Sequence, residues 1–484
     1  MLKSIEDSPL YRMANPGSIA IFGASNNYNA MGSMIFDSLK ALDYEGPIYP
    51  VHPKEEKVMD VKAFKSIQDL SETPDLAVIV LPNEIVPQIV EDCGKNGIRQ
   101  AIVVSGGFKE VGDKGAVLEK DLAKIADRYD IRLLGPNCLG VANPHDRLNT
   151  TPFRYEGAPG SIGLASQSGS FVGQMFDHLS ELGVGFSTAL SVGNEVDIDI
   201  VDCMEYLGVC PNTKVIGLYI EGIKRGKEFV ETARSIVPDK PIVTFYAGGS
   251  ESGKRAGLSH TGAMSGPDQL YDGVFRQSGI IRAGSITELF DFCWVLSCLP
   301  SPKGSKVVIQ TNSGGPGTAA ADACGREDLE LPSLSKETID ILAPLLPHTA
   351  SVNNPVDLTF TKNPLDYFSN VPEALLKDKN CENLLIYFLF SSDMIKRGLE
   401  HMGVSRDKID EESNKVVDAM SRSIADLLKA HGKPIVAFTF RSLQEKLMRG
   451  LINRGVPVFP DPERAVRATK ALVQYTELRD NIIA

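Results

Sequence analysis

Short apolar runs rich in Val and Ile alternate along this chain with longer amphipathic stretches. Runs at 18–22, 47–51, 76–81, 101–104 and 132–134 read as strands, and the segments 33–42 and 84–96 carry helical periodicity. Strands alternating with helices imply right-handed crossovers and a parallel sheet. Residues 1–145 are therefore expected to form an α/β domain of the nucleotide-binding type. The pattern then restarts. Strands are expected at 161–165, 186–190, 215–219 and 241–246, with a helical stretch at 286–299 closing a second α/β domain over 146–300. The segment Pro300-Ser-Pro-Lys-Gly-Ser305 reads as a linker. A third α/β unit, 306–484, has strands at 306–310, 383–390, 434–438 and 456–459, and its charged run 396–415 reads as a solvated helix and loop. The second and third units begin alike: a strand, a Ser-Gly pair (Ser168-Gly169; Ser313-Gly314-Gly315), then a helix.

Composition narrows the function. The 484 residues suit roughly three domains. The net charge of −12 argues against nonspecific nucleic-acid binding, and no basic stripe interrupts it. The longest apolar runs fall well short of the roughly 20 residues a spanning helix needs, and residues 1–10 lack a signal-peptide core. A cytoplasmic protein is expected. The eight cysteines form no CxxC pair and the seven histidines no HExxH, so reduced thiols and no protein-bound metal are expected.

Several strand ends carry candidate chemistry. Gly23 and Ser25 follow the first strand and lead through Gly32 to the N-terminus of the next helix, where free N–H groups suit a phosphate. A tight βα turn is the alternative. The run is not GxGxxG, and Asp43 precedes the second strand rather than ending it, which disfavours NAD. Lys54, just after that strand, suits a phosphorylated nucleotide. Pro82, Ser105 with Gly107, and Gly135-Pro136-Asn137-Cys138 also follow strands, and together suggest a long ligand laid over one sheet edge. Ser168 and Gly169, and their counterparts Gly314 and Gly315, open helices suited to a small anion. Plain N-capping by serine is the competing reading.

His260 stands in a loop with Gly257, Gly262 and Gly266 around it. Its imidazole could serve as base, ligand or nucleophile, or simply be a partly buried loop residue. Glu221, at the end of a strand, could accept a hydrogen bond from one ring nitrogen and leave the other nucleophilic; a plain surface carboxylate is the alternative. Gly253-Lys254 ends a GxxxxGK run, but Arg255 stands where a P-loop needs Ser or Thr, and no GxSxG occurs.

Taken in order, Phe22-Gly-Ala-Ser25, Ser166-Gln-Ser-Gly169, Tyr219-Ile-Glu-Gly222 and Ser259-His-Thr-Gly262 resemble the α-subunit of ADP-forming acyl-CoA synthetases of the acetate–CoA ligase type, relatives of succinyl-CoA synthetase. Asn312-Ser-Gly-Gly315 and Asn354-Pro-Val-Asp357 extend the resemblance into the third unit. It implies a Rossmann-like CoA-binding domain followed by two flavodoxin-like ligase domains. It also implies that His260 becomes phosphohistidine, that Glu221 orients it, and that Ser168, Gly169, Gly314 and Gly315 hold phosphate. Gly23, Ser25, Gly32 and Lys54 would take CoA phosphates, with Pro82, Ser105 and Gly107 along the pantetheine. No ATP-grasp signal is present, so the resemblance implies a separate ATP-grasp β-subunit holding Mg-ADP or Mg-ATP in a hetero-oligomer. The rival readings are a non-catalytic CoA-binding regulatory protein, an NAD-linked oxidoreductase and an AMP-forming ligase.

Overall fold

A computed structural model describes residues 2–253, 266–359 and 363–484. The chain divides into two compact units, Met1–Leu289 and Phe290–Ala484. The division falls inside the helix Ile286–Cys298, which the sequence pattern assigns to the end of the preceding domain. Among the described residues, no helix is long and apolar enough to cross a membrane.

Among the described residues, the first unit holds two large sheets and a two-stranded antiparallel pair, Lys57–Val58 with Val61–Lys62. The first comprises β1 (Ile19–Phe22), β2 (Ile48–Val51), β3 (Leu76–Ile79), β4 (Gln100–Val103) and β5 (Arg132–Leu134), all parallel in the order β2-β1-β3-β4-β5. β1 and β3 are wholly buried, as their unbroken apolar runs require of strands covered on both faces. The core beneath them joins Phe22, Ile79, Val103 and Leu133 to Val90, Phe108 and Leu122.

The second sheet contains β6 (Gly140–Asn143), β7 (Leu148–Asn149), β8 (Ile162–Ser166), β9 (Phe186–Ser191), β10 (Val215–Ile220), β11 (Ile242–Tyr246) and β12 (Ile281–Ala283). Its order is β12-β11-β10-β8-β9-β6-β7. β8 to β12 pair in parallel, and β6 and β7 add an antiparallel edge beside β9. β6, β7 and β12 are absent from the sequence reading because each is short and lacks a Val/Ile-rich run.

Only a few residues separate β5 from β6, and the two sheets are laced together. The amides of Asn194, Val196 and Ile198 donate to the carbonyls of Pro136, Gly135 and Leu133 at 2.8, 3.0 and 3.1 Å. Arg132 reaches Asp197 through two bonds of 2.8 and 3.0 Å.

The second unit is built on β13 (Val307–Thr311), β14 (Val356–Asp357), β15 (Asn383–Tyr387), β16 (Ile435–Phe438) and β17 (Val458–Phe459), parallel in the order β14-β13-β15-β16-β17. The run at 396–415 is, as expected, mostly solvated helix and loop: the end of the helix Ser392–His401, the loop 402–408 and the start of a second helix, Ile409–His431. The second buries Val417, Met420, Ile424 and Leu428, whose spacing of three and four residues makes one apolar stripe.

In the three larger sheets the parallel strands follow the doubly wound order 2-1-3-4-5. The fold class is therefore the α/β architecture expected. In such sheets the chain leaves the first strand in both directions, and a crevice opens at the carboxyl ends beside it.

Candidate active site

The switch point of the first sheet lies between β1 and β3, and that of the second between β8 and β10. The loops at both meet around a cleft of about 510 Å³. Leu81 and Pro82 after β3, Ser105 and Gly106 after β4, and Asn137 to Leu139 after β5 form one side. Gln167 to Ser170 after β8, with Gly193 and Asn194 after β9, form the other. A mostly apolar cleft with a few convergent polar groups is the usual form of a small-molecule site.

The structure thus brings the expected residues Pro82, Ser105, Ser168 and Gly169 to one cavity. Ser105 is buried, and its hydroxyl accepts from the amide of Leu81 at 3.0 Å, tying the ends of β3 and β4 together. Gly23, Ser25, Gly32, Lys54 and Gly107 lie outside the cleft lining. Two of these glycines have packing reasons. Gly23 has φ +99°, and a Cβ there would sit 2.0 Å from the Val80 carbonyl oxygen. A Cβ on Gly32 would sit 2.5 Å from the Gly23 carbonyl, so both glycines let the helix Met31–Ala41 press on the turn after β1. Ser25 shares two bonds with Ser33, and Lys54 is exposed.

At the start of the helix Gly169–Glu181, Ser168 makes no side-chain cap bond. The Ser166 hydroxyl holds the turn instead, accepting from the Ser168 amide at 3.1 Å and donating to its carbonyl at 2.8 Å. The second unit repeats this device. Thr311 accepts from the Ser313 amide at 3.1 Å and donates to its carbonyl at 2.8 Å, ahead of the helix Gly314–Arg326. Ser313 makes no side-chain cap bond either. Serine capping therefore explains neither helix start. Among the described residues, a Cβ at Gly315 would meet nothing within 4 Å, so packing does not demand that glycine.

Glu221 follows β10 and lines a smaller pocket of about 150 Å³ with Gln167, Gly193, Asn194, Lys109, Lys224 and Tyr271. Gln167, Gly193 and Asn194 belong to both cavities, which are therefore contiguous. The side-chain oxygen of Gln167 accepts from the amides of Glu221 and Gly222, and its nitrogen donates to the Gly222 carbonyl at 2.8 Å. This fixes the backbone of Glu221 across the switch point. His260, with Gly257 and Gly262, lies outside the described residues; Gly266 is described, and its carbonyl accepts from the Tyr246 hydroxyl at 3.2 Å.

Charge concentrates at the smaller pocket. Burial raises the Glu195 carboxyl above its ordinary range, against the pull of Lys224. Burial lowers Lys224, with Glu195 opposing. Glu110 is pushed up by burial, but bonds from Asn194 and from the amides of Gly107 and Phe108 outweigh this and leave it below the ordinary value. Cys138, in the cleft wall, is buried and pushed up to about 12, so its thiol stays protonated and inert. Lys109, Asn194, Glu195 and Lys224 are absent from the sequence reading. Gly193-Asn194 after a strand carried the same signal as the loops that were noticed, whereas the lysines are brought in only by tertiary folding.

Residues 17–144 match the CoA binding domain family, and residues 159–296 match the succinyl-CoA ligase like flavodoxin domain. The chain is 37% identical over 466 residues to the acetate–CoA ligase [ADP-forming] II subunit alpha of Pyrococcus furiosus, covering 96% of this chain and 97% of that protein. It is 36% identical to the acetate–CoA ligase [ADP-forming] I of Archaeoglobus fulgidus, where it spans 64% of a longer protein and 96% of its own length. A solved structure of the dinucleotide forming acetyl-coenzyme A synthetase 1 of Ca. Korarchaeum cryptofilum, in complex with phosphate and ADP, superposes with a TM-score of 0.87 at 31% identity, covering 98% of each chain. With its doubly wound sheets, its contiguous cavities and a relative matched over nearly its whole length, the chain belongs to the ADP-forming acetate–CoA ligase family, on the side of the α-subunits.

Proposed function

We propose that this chain is the CoA-binding, phosphoryl-carrying α-subunit of an ADP-forming acid–CoA ligase. It interconverts acyl-CoA, ADP and phosphate with a carboxylic acid, CoA and ATP. The observation that carries the reading is the cleft in which Pro82 and Ser105 of the first sheet face Ser168 and Gly169 of the second. A long thiol cofactor laid over the first sheet would deliver its reactive end to a helix start suited to phosphate.

In the reading, residues 1–145 bind CoA, 146–300 carry the phosphohistidine loop and 306–484 form a second ligase domain. Gly23, Ser25, Gly32 and Lys54 take CoA phosphates, and Pro82, Ser105 and Gly107 line the pantetheine. Phosphate attacks the thioester carbonyl, the C–S bond breaks, and acyl phosphate and CoA thiolate result. A ring nitrogen of His260 then attacks phosphorus, and the carboxylate leaves. Glu221 accepts the other ring N–H and stabilises the charge that develops. An oxygen of the ADP β-phosphate finally displaces histidine and forms ATP. Ser168, Gly169, Gly314 and Gly315 hold the phosphoryl group at helix starts. The name of the Pyrococcus relative, a subunit alpha, supports a separate partner, read here as an ATP-grasp β-subunit that holds Mg-ADP or Mg-ATP in a cytoplasmic hetero-oligomer.

The test is peptide mass spectrometry at alkaline pH after mixing the chain with acetyl-CoA and other acyl-CoAs, Mg²⁺, phosphate and the β-subunit. The expected result is a phosphate on the His260 peptide, absent in His260→Asn and discharged by ADP. CoA binding with no phosphohistidine from any acyl-CoA would overturn the catalytic reading in favour of a non-catalytic CoA-binding protein.

A further inference from the structure

Asn194 is the most heavily engaged polar residue at the junction of the two cavities, and it is only 3% exposed. Its side-chain nitrogen donates to Glu110 at 2.6 Å and to Glu119 at 2.8 Å. Its side-chain oxygen accepts from Asn137 at 3.3 Å. Its amide donates to the Pro136 carbonyl at 2.8 Å. Its carbonyl accepts from Lys224 at 3.0 Å and also from Lys109. The residues on either side, Gly193 and Glu195, have φ of +56° and +55°. Holding Glu195, a residue with a side chain, in the left-handed region costs energy that this set of bonds can offset.

Each bond leads somewhere. The second oxygen of Glu110 accepts the amides of Gly107 and Phe108, which follow β4 beside the cleft. Glu119 accepts the Lys109 amide at 3.3 Å and pairs with the Lys109 ammonium at 3.7 Å. Lys224 also donates to the Glu195 carbonyl and stands three residues beyond Glu221. One side chain therefore grips the loop on the first-sheet side, while its own carbonyl is gripped from the Glu221 side. Buried networks of this kind behave as a unit, because leaving any member unmatched in a low-dielectric site is costly.

We infer that Asn194 is a positioning residue, a clasp through which occupation of the cleft beside Gly107 and occupation of the phosphate site at Ser168 and Gly169 reinforce one another, the second arm running from Lys224 along the Glu221–Gly222 segment to Gln167, the neighbour of Ser168. The inference rests on the reading of the cleft as a CoA site. Asn194 transmits position through Glu110 on one side and Lys224 on the other.

The experiment is calorimetry of CoA binding to the full chain, with and without saturating inorganic phosphate. The wild type is expected to bind CoA about fivefold more tightly when phosphate is present, the lower end of typical coupling between sites. In Asn194→Ala the two affinities agree within about twofold. Glu110→Gln, which weakens only one arm of the clasp, retains a reduced ratio and serves if the alanine variant does not fold. Asp75→Ala, which removes the bonds from Gly17 and Arg12 at the amino ends of the first sheet's strands, away from the cleft, destabilises the protein but keeps the wild-type ratio, so general loosening cannot mimic the effect. Coupling preserved in Asn194→Ala or Glu110→Gln, or absent from the wild type, overturns the clasp while leaving the CoA site standing. Failure of the wild type to bind CoA at all overturns the functional reading and the clasp with it.

Discussion

Gln167 illustrates how one side chain can organise a site without entering its chemistry. It sits between Ser166, whose hydroxyl holds the next turn, and Ser168, which opens a helix. From there it satisfies two amides and one carbonyl of the Glu221–Gly222 segment on the neighbouring strand. Gln167→Ala leaves those three backbone groups unmatched in a half-buried place, at a cost of about 1–3 kcal/mol. On the proposed function, the expected outcome is a lower urea midpoint together with slowed labelling of the phosphohistidine proposed at His260, while CoA affinity changes little. Calorimetry and quench-flow labelling on the same preparation would check both halves; normal phosphorylation at lowered stability would show that Gln167 acts on the fold alone. The residues of the motif Ser166-Gln-Ser-Gly169 were visible in the sequence. The partner of Gln167 was not, because 54 positions separate it from Glu221 and only the adjacency of β8 and β10 joins them.

Elements were more legible than their meetings. Each parallel strand with a run of Val, Ile or Leu stood out by composition, and boundaries shifted by one to a few residues. The helix Met31–Ala41 begins two residues before the expected 33–42 because Gly32 is helical and packs on the β1 turn. That contact makes a prediction at this scale. In Gly32→Ala, a methyl group would stand 2.5 Å from the Gly23 carbonyl, and the helix start must lift away. Overpacking of this kind costs about 1–3 kcal/mol. CoA affinity is expected to fall about tenfold, one factor of ten for each 1.4 kcal/mol lost; unchanged affinity would separate this turn from the ligand. β6 and β7 escaped notice for a physical reason. Gly140-Val-Ala-Asn143 and Leu148-Asn149 are too short and mixed to show period two, and they become strands only by pairing with β9 and with each other.

At the scale of the whole chain, each compact unit is tied by charge as well as by apolar packing. In the second unit Arg464, near the start of the helix Pro462–Ile483, meets Asp291 through two bonds of 2.8 Å, and Trp294 packs on Phe459 with ring centroids 5.3 Å apart. Asp291 is only 2% exposed. Arg464→Ala would take the bidentate cation from a buried carboxylate, and breaking such a pair costs about 3–5 kcal/mol. The expected result is a large drop in thermal midpoint, partly relieved by changing Asp291 to Asn as well. If the double variant is no more stable than the single one, stranded charge is not the cause. This ion pair was outside the reach of sequence reading, since it joins positions 173 residues apart. The presence of three α/β units was within reach, because the strand–helix alternation restarts twice along the chain, whereas the order of the strands in each sheet was not.

The lacing of residues 133–136 to residues 194–198 has a consequence for how ligands come and go. Many two-part enzymes open like jaws about a supple joint. Here the path from β5 to β6 is only a few residues long. A swing between the two sheets would tear three backbone hydrogen bonds and the paired guanidinium of Arg132. The cleft wall is therefore closer to the bed of a mould than to a mouth. Traffic through it has to be managed by loops and side chains moving over a frame that holds still.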